Sequence, residues 1–239
     1  MFFSNRIPEP KIMEKEEMKV FEELSNQNYK RWILPFVDEA MQTLNVESGK
    51  VLDIGCGPGL LVKELAKRSK NLRVIGVDVS PEAIKLAKKN CRSLKNVKFL
   101  RGDVTSLPFP NGTFDLIVCK DSFHEFPNLR KALQEVMRVL KPGGILYAQD
   151  LRRDLPMYLL RRAIPPDTTV KKLQFYSARA AYIKTEIRDI LKQLDIQHFF
   201  IKTRKLTENI RKNYGKQGIS LIQLKEGFQA RYILVVKNK

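Results

Sequence analysis

Between residues 50 and 150 the chain repeats one pattern, a short apolar run followed by an amphipathic stretch. The runs cover 51–54, 72–77, 97–100, 114–118 and 144–148. Runs of this length that are β-branched and mostly apolar suit strands buried on both faces of a parallel sheet. The segments between them carry helix signals. Ser80, Pro81 and Glu82 supply an N-cap, a proline at the first helical position and an acid in the first turn, ahead of Ala83, Ile84 and Ala87. Asn128 can cap a further helix, in which Leu129, Leu133, Val136 and Leu140 keep helical spacing until Pro142, Gly143 and Gly144 stop it. A repeated βα unit of this kind folds as a doubly wound α/β sheet. Upstream, residues 12–46 read as two helices; downstream, 154–194 reads as helical and basic, and 196–203 and 230–236 as closing strands.

A length of 239 residues corresponds to one large domain, or a domain with an appendage, at roughly 100–200 residues per domain. Lys and Arg number 44 against 26 Asp and Glu, a net charge of +18 that favours anionic partners, nucleic acid among them, without choosing a fold. Three cysteines, Cys56, Cys91 and Cys119, are an odd number without CxxC spacing, which argues against a disulfide framework and a zinc site and suits a reducing cytoplasm. The N-terminus shows no apolar stretch of signal-peptide length, and no window reaches the roughly 18 apolar residues of a membrane helix. The expectation is a soluble cytoplasmic protein with no membrane span.

The loop after the first run is Asp53, Ile54, Gly55, Cys56, Gly57, Pro58, Gly59. Glycines at alternating positions let a backbone turn sharply and approach a ligand, while the N–H groups of the next helix face it. Acids at successive strand ends sharpen the reading. Asp78 ends the second run, where a carboxylate can accept both ribose hydroxyls, and Asp103 follows the third, within reach of an adenine amine. A nicotinamide site would want GxGxxG, and its anionic pyrophosphate would not tolerate Asp53 before the glycines. Carboxylates around the loop suit instead a ligand carrying an amine and a sulfonium. Cys56, flanked by glycines, reads as a small packing residue rather than a nucleophile.

VLDIGCGPG at 51–59, GVDVS at 76–80, RGDVTSLPFPNGTFDLIVC at 101–119 and EVMRVLKPGG at 135–144 together resemble the class I S-adenosylmethionine-dependent methyltransferases. The likeness is greatest to the small-molecule branch typified by quinone-biosynthesis C-methyltransferases. It implies a seven-stranded, mostly parallel, Rossmann-like sheet with helices on both faces, in a single domain. Within it, 1–47 forms an N-terminal helical cap, 48–150 the cofactor-binding core, 151–195 a helical substrate-side insertion and 196–239 the closing strands. The implied cofactor is S-adenosyl-L-methionine, with S-adenosyl-L-homocysteine as product. By the same resemblance Asp53, Gly55, Gly57 and Gly59 form the loop under the methionine part, Asp78 binds the ribose, Asp103 with the backbone of Val104 binds the adenine, and Lys120 lines the methionine side. Cys56 and Val79, inside two of the motifs, are counted with these cofactor residues.

The acceptor side is less marked. The family often has paired histidines after the fourth strand; this chain has Phe123, His124, Glu125, so only His124 matches, as a catalytic candidate or as a hydrogen-bonded wall residue. Asp121 and Asp150 end adjacent strands as metal ligands do in catechol-type methyltransferases, but the Asp-Asn pair of those enzymes is replaced by Asp150 and Leu151, so no metal is expected. Residues 151–216 hold sixteen Lys and Arg against six Asp and Glu. That concentration is either a solvated face or, with Arg152, Arg153, Tyr158, Arg161 and Arg162, a roof that clamps a small anionic methyl acceptor. The Asn-Pro-Pro-Tyr type motif of amino-group methylation is replaced by Lys120, Asp121, Ser122, Phe123. The expectation is therefore transfer to an O, N or C atom of a small molecule, ahead of an RNA or protein methyltransferase and of a cofactor-binding protein without turnover.

Overall fold

The computed structural model describes residues 5–9, 15–44, 47–154, 169–205 and 230–239. Helices α1 (Lys15–Gln27), α2 (Tyr29–Trp32) and α3 (Leu34–Leu44) precede strand β1 (Gly49–Ile54). Then follow α4 (Leu60–Arg68), β2 (Leu72–Asp78), α5 (Pro81–Asn90), β3 (Val97–Arg101), β4 (Phe114–Lys120), α6 (Leu129–Val139) and β5 (Leu140–Leu151). Helices α7 (Thr169–Ala180) and α8 (Lys184–Gln193) and strands β6 (Phe199–Thr203) and β7 (Arg231–Lys237) complete the described elements. The strands form one seven-stranded sheet in the order β3-β2-β1-β4-β5-β7-β6. Strands β1 to β5 are parallel, and β7 runs antiparallel to β5 and β6.

The period-two alternation of side chains explains why the runs are apolar throughout. On one face Leu52, Ile54, Ile117 and Cys119 pack with Leu133 and Val136 of α6 and Ile187 and Leu191 of α8. On the other, Val51, Leu116 and Val118 pack with Phe36 and Val37 of α3 and Leu61 and Leu65 of α4. Full burial of each such side chain contributes about 1.5–3 kcal/mol. The two helix starts form as the sequence indicates: Ser80 Oγ accepts from the Ala83 N–H at 3.2 Å, and Asn128 Oδ1 from the Lys131 N–H at 3.0 Å.

Three boundaries differ from the sequence reading. Helix α6 ends at Val139 and β5 begins at Leu140, not at Gly144. Asn238 is the cause: its side chain donates to the Leu140 and Lys141 carbonyls at 2.9 and 3.2 Å, and its carbonyl accepts from Gly143 N–H at 2.8 Å. The described residues 15–44 form three helices rather than two, with breaks at Asn28 and Ile33. Residues 181–183 interrupt the helical stretch after β5. Arg204, which is buried, joins the cap to the sheet by donating to Glu39 of α3 at 2.6 Å and to Gln149 of β5. Among the described residues no helix is long and apolar enough to cross a membrane.

In an open α/β sheet the ligand crevice lies beyond the carboxyl ends of the strands, where the strand order reverses. Here that point lies between β1 and β4. A cavity of about 530 Å³ opens there, walled by the strand ends and by Met18, Phe21 and Leu24 of α1.

Candidate active site

The loop after β1 turns at Gly55 (φ +69°) and Gly57 (φ +50°). The N–H groups of Gly55 and Cys56 donate to the Val77 carbonyl at 2.8 and 3.1 Å, which ties the loop to β2. The two glycines answer different needs. A Cβ on Gly55 would stand 2.5 Å from Ser122 Oγ, so Gly55 is required by packing. A Cβ on Gly57 meets no protein atom closer than Phe21 Cε1 at 3.8 Å, and Gly57 lines the cavity, so the space over it is left for a ligand. Cys56 also lines the cavity; it is buried, and burial, reinforced by Asp53 and Asp78, pushes its thiol well above the usual range.

Asp53, Asp78 and Asp103 all line the cavity. Asp53 is 1% exposed, and its Oδ2 is buried without a hydrogen-bond partner. Burial, then the charge of Asp78, raises its carboxyl well above the usual range, while Lys120 works against the shift. Asp78 accepts from Gly57 N–H at 2.8 Å and Ser80 N–H at 2.9 Å; burial raises its carboxyl, and these N–H groups hold the shift back. Asp103 is exposed at the rim, where Oδ1 accepts from the backbone and the hydroxyl of Thr105, both at 2.8 Å. Val79 and Val104 stand beside these acids on the wall. Lys120 also lines it, with Nζ 2.5 Å from Asp121 Oδ2, and Asp121 in turn takes Arg231 Nε at 2.8 Å. Burial lowers the Lys120 ammonium in spite of Asp121.

His124 sits in a short 3₁₀ turn after β4 and is 3% exposed. Asp150 of β5 grips it twice, accepting from its backbone N–H at 2.8 Å and standing 2.7 Å from ring Nδ1. Ring Nε2 faces Glu9 and Glu125 at 3.7 and 3.9 Å. Burial opposes the charged ring, but Asp150, Glu125 and Glu9 outweigh it and lift His124 to about 9. At neutral pH the ring is an imidazolium.

The arginine roof does not assemble from the residues described. Arg152 pairs with Asp154 at 2.5 Å and Thr203 at 2.9 Å. Arg153 is buried and engaged by Glu186 and the Ala181 carbonyl. Neither lines the cavity. Tyr158, Arg161 and Arg162 lie outside the described residues. What sequence reasoning missed is Asp150 as the partner of His124, Glu9 on the opposite wall, and Ser122 beneath Gly55. Each reaches the site through a contact between residues far apart in the chain, which no local pattern signals. Among the described residues no group of three or more His, Cys, Asp or Glu could hold a metal.

Two features fit a nucleoside carrying a cationic methionine end: the orphaned Oδ2 of Asp53 and the open cradle over Gly57. Strand order, glycine loop and acidic strand ends define the α/β class of S-adenosylmethionine-dependent methyltransferases. The chain belongs to the methyltransferase domain family, which residues 45–219 match. It is 32% identical over 153 residues to a fatty-acid O-methyltransferase of Mycolicibacterium smegmatis, covering 63% of this chain and 53% of the relative. Against a demethylmenaquinone methyltransferase of Thermus thermophilus the identity is 36% over 118 residues, covering 48% and 52%. The chain thus spans about half the length of these curated relatives. A solved SAM-dependent methyltransferase from Aquifex aeolicus shares the fold, with a TM-score of 0.67 at 18% identity over 95% of this chain and all of that one.

Proposed function

We propose that the chain transfers a methyl group from S-adenosylmethionine to a small, largely apolar molecule. The supporting observation is that one cavity joins the acidic strand ends to an apolar wall formed by Met18, Phe21 and Leu24 of α1 with Trp32, Ile33 and Phe126. Pockets of this kind, apolar with a few convergent polar groups, suit small ligands rather than polymers. In this reading Asp78 and Val79 hold the ribose, Asp103 and Val104 the adenine, and Asp53, Gly55 and Gly57 the methionine end, with Lys120 beside it. When bound, the cofactor supplies a methyl group activated by a sulfonium. The protein's contribution is to hold the two reactants in line and to keep water out with the α1 wall.

The relatives act on a fatty acid and on demethylmenaquinone by name, and an apolar acceptor agrees with the wall described here. An anionic acceptor clamped by arginines loses the support of Arg152 and Arg153, whose guanidinium groups are taken by other residues. The test is calorimetry with S-adenosylhomocysteine, followed by transfer of labelled methyl to a panel of apolar hydroxyl, amine and carboxyl compounds. Absence of affinity for S-adenosylhomocysteine, or transfer to RNA or protein alone, overturns the reading.

A further inference from the structure

Residues 5–9 form a strap that reaches the cavity through Glu9, beside His124. Arg6 fixes it: Nε donates to the Ala180 carbonyl at 2.7 Å, Nη2 donates to the His124 carbonyl at 2.8 Å, and the guanidinium stacks 4.3 Å from the centre of the Tyr182 ring. The Ile7 N–H reaches the Arg179 carbonyl at 3.4 Å. Pro8 and Pro10 flank Glu9 in the sequence, which biases Ile7 and Glu9 toward extended backbone. The strap therefore holds Glu9 in register with His124.

At that position Glu9 Oε1 is buried without a hydrogen-bond partner, and it lies 3.7 Å from His124 Nε2. That is too long for a hydrogen bond, yet close enough for one oxygen atom to lie within hydrogen-bond distance of both. Both residues line the cavity. A buried acceptor without a partner is costly, so the pair is complete only when something stands between its members.

We infer that Glu9 and His124 form the recognition point for a hydroxyl group on the methyl acceptor, with the carboxylate accepting its O–H and ring Nε2–H donating to its oxygen. The inference rests on the transfer reading above and adds to it the chemistry of the acceptor. A carboxylate in this position would bring no proton for Glu9 Oε1 to accept. An ammonium would face the charged ring, and an apolar group would leave Oε1 orphaned. A hydroxyl both donates and accepts at neutral charge through one oxygen atom, as the 3.7 Å separation requires. Glu9 is in this sense a specificity-determining residue, and Arg6 is the positioning residue that presents it.

The experiment uses the full chain saturated with S-adenosylhomocysteine, so that no turnover occurs, and the probes 1-naphthol, 1-naphthoate and naphthalene. Binding is read by calorimetry and by the ring resonances of His124, assigned against His198 with the His124→Asn variant. The expected result is that 1-naphthol shifts the His124 ring and binds at least ten-fold more tightly than the other two, and that Glu9→Gln removes this preference. Equal binding of the three probes, tightest binding of 1-naphthoate, an unmoved His124 ring, or an undiminished preference in Glu9→Gln overturns the inference. So does a fall of the same size in S-adenosylhomocysteine affinity in Glu9→Gln, which would assign the residue to the cofactor. If the parent protein does not bind S-adenosylhomocysteine, the transfer reading itself fails, and that outcome is read before any probe is added.

Discussion

Asp78 has two tasks on one carboxylate: it receives the N–H groups of Gly57 and Ser80, and it faces the cavity where a ribose would lie. Replacing it with alanine should weaken S-adenosylhomocysteine binding by about 1.5–3 kcal/mol, the range for hydrogen bonds to a charged group. Calorimetry reads this directly, and an unchanged affinity removes Asp78 from the site. The two loop glycines should separate in the same assay. Gly57→Val should abolish binding; its Cβ points into open space, so its cost to the fold is confined to the strain of a β-branched residue at φ +50°. Gly55→Val should lower the unfolding temperature, since its Cβ would stand 2.5 Å from Ser122 Oγ; equal unfolding temperatures for the two variants would contradict this division. His124 adds a pH dependence. Its folded value is raised to about 9 from 6.5, so the extra proton stabilises the folded state fully below about 6.5 and the contribution fades as pH rises through about 9. Asp150→Asn should bring the ring's NMR titration midpoint back toward 6.5, and a midpoint still near 9 would show that Asp150 is not what charges the ring. That Asp53, Gly55, Gly57, Asp78 and Asp103 would gather around one cavity was legible because they lie at or just after strand ends in fixed local motifs. Glu9 and Asp150 were not, because their meaning depends on being folded against His124.

At the scale of elements, α6 does more than cover one face of the sheet. Its Arg138 donates to the Phe109 and Leu107 carbonyls at 2.7 and 2.9 Å and pairs with Glu135 at 2.7 Å, so the helix clamps the loop that follows Asp103. The side chain is about a third exposed, which discounts its ion pair and leaves the carbonyl contacts as the main term. Arg138→Ala should cost about 1–2 kcal/mol of stability, measured by urea unfolding with an unchanged slope. A loss below a few tenths would mean that water replaces the guanidinium without penalty. The element pattern itself was readable where propensity and packing agree. Helix α5 starts at the cap, proline and acid that announce it. Strand β5 was misread because proline and two glycines argue for a break, while the side chain of Asn238, near the other end of the chain, holds that segment extended. Arg153 was misread for a related reason: a cluster of positive charge says nothing about which member finds a Glu186.

Taken as a whole molecule, the cavity has no single owner: the strap, α1, the ends of β1 to β5 and Arg231 of β7 all contribute to its wall. A ligand that binds this folded arrangement and not the unfolded chain must stabilise the entire fold. At one hundred times its dissociation constant, S-adenosylhomocysteine should add about 2.7 kcal/mol. For a chain of this size that corresponds to a rise of roughly 5–10 °C in Tm. The net charge of +18 complicates the measurement, since a basic surface can also be stabilised by polyanions. Salt separates the two effects. Interactions between exposed charges are screened within about 3 Å in 1 M salt, and polyanion binding falls steeply as counterions compete. Contacts to Asp53 and to the loop glycines are buried or made by backbone, and should persist. The expected outcome in scanning calorimetry is a stabilisation by S-adenosylhomocysteine that survives 1 M NaCl and shrinks in Asp78→Ala, beside a stabilisation by RNA that disappears. If the salt sensitivities are reversed, the surface is the functional site and the cavity is not.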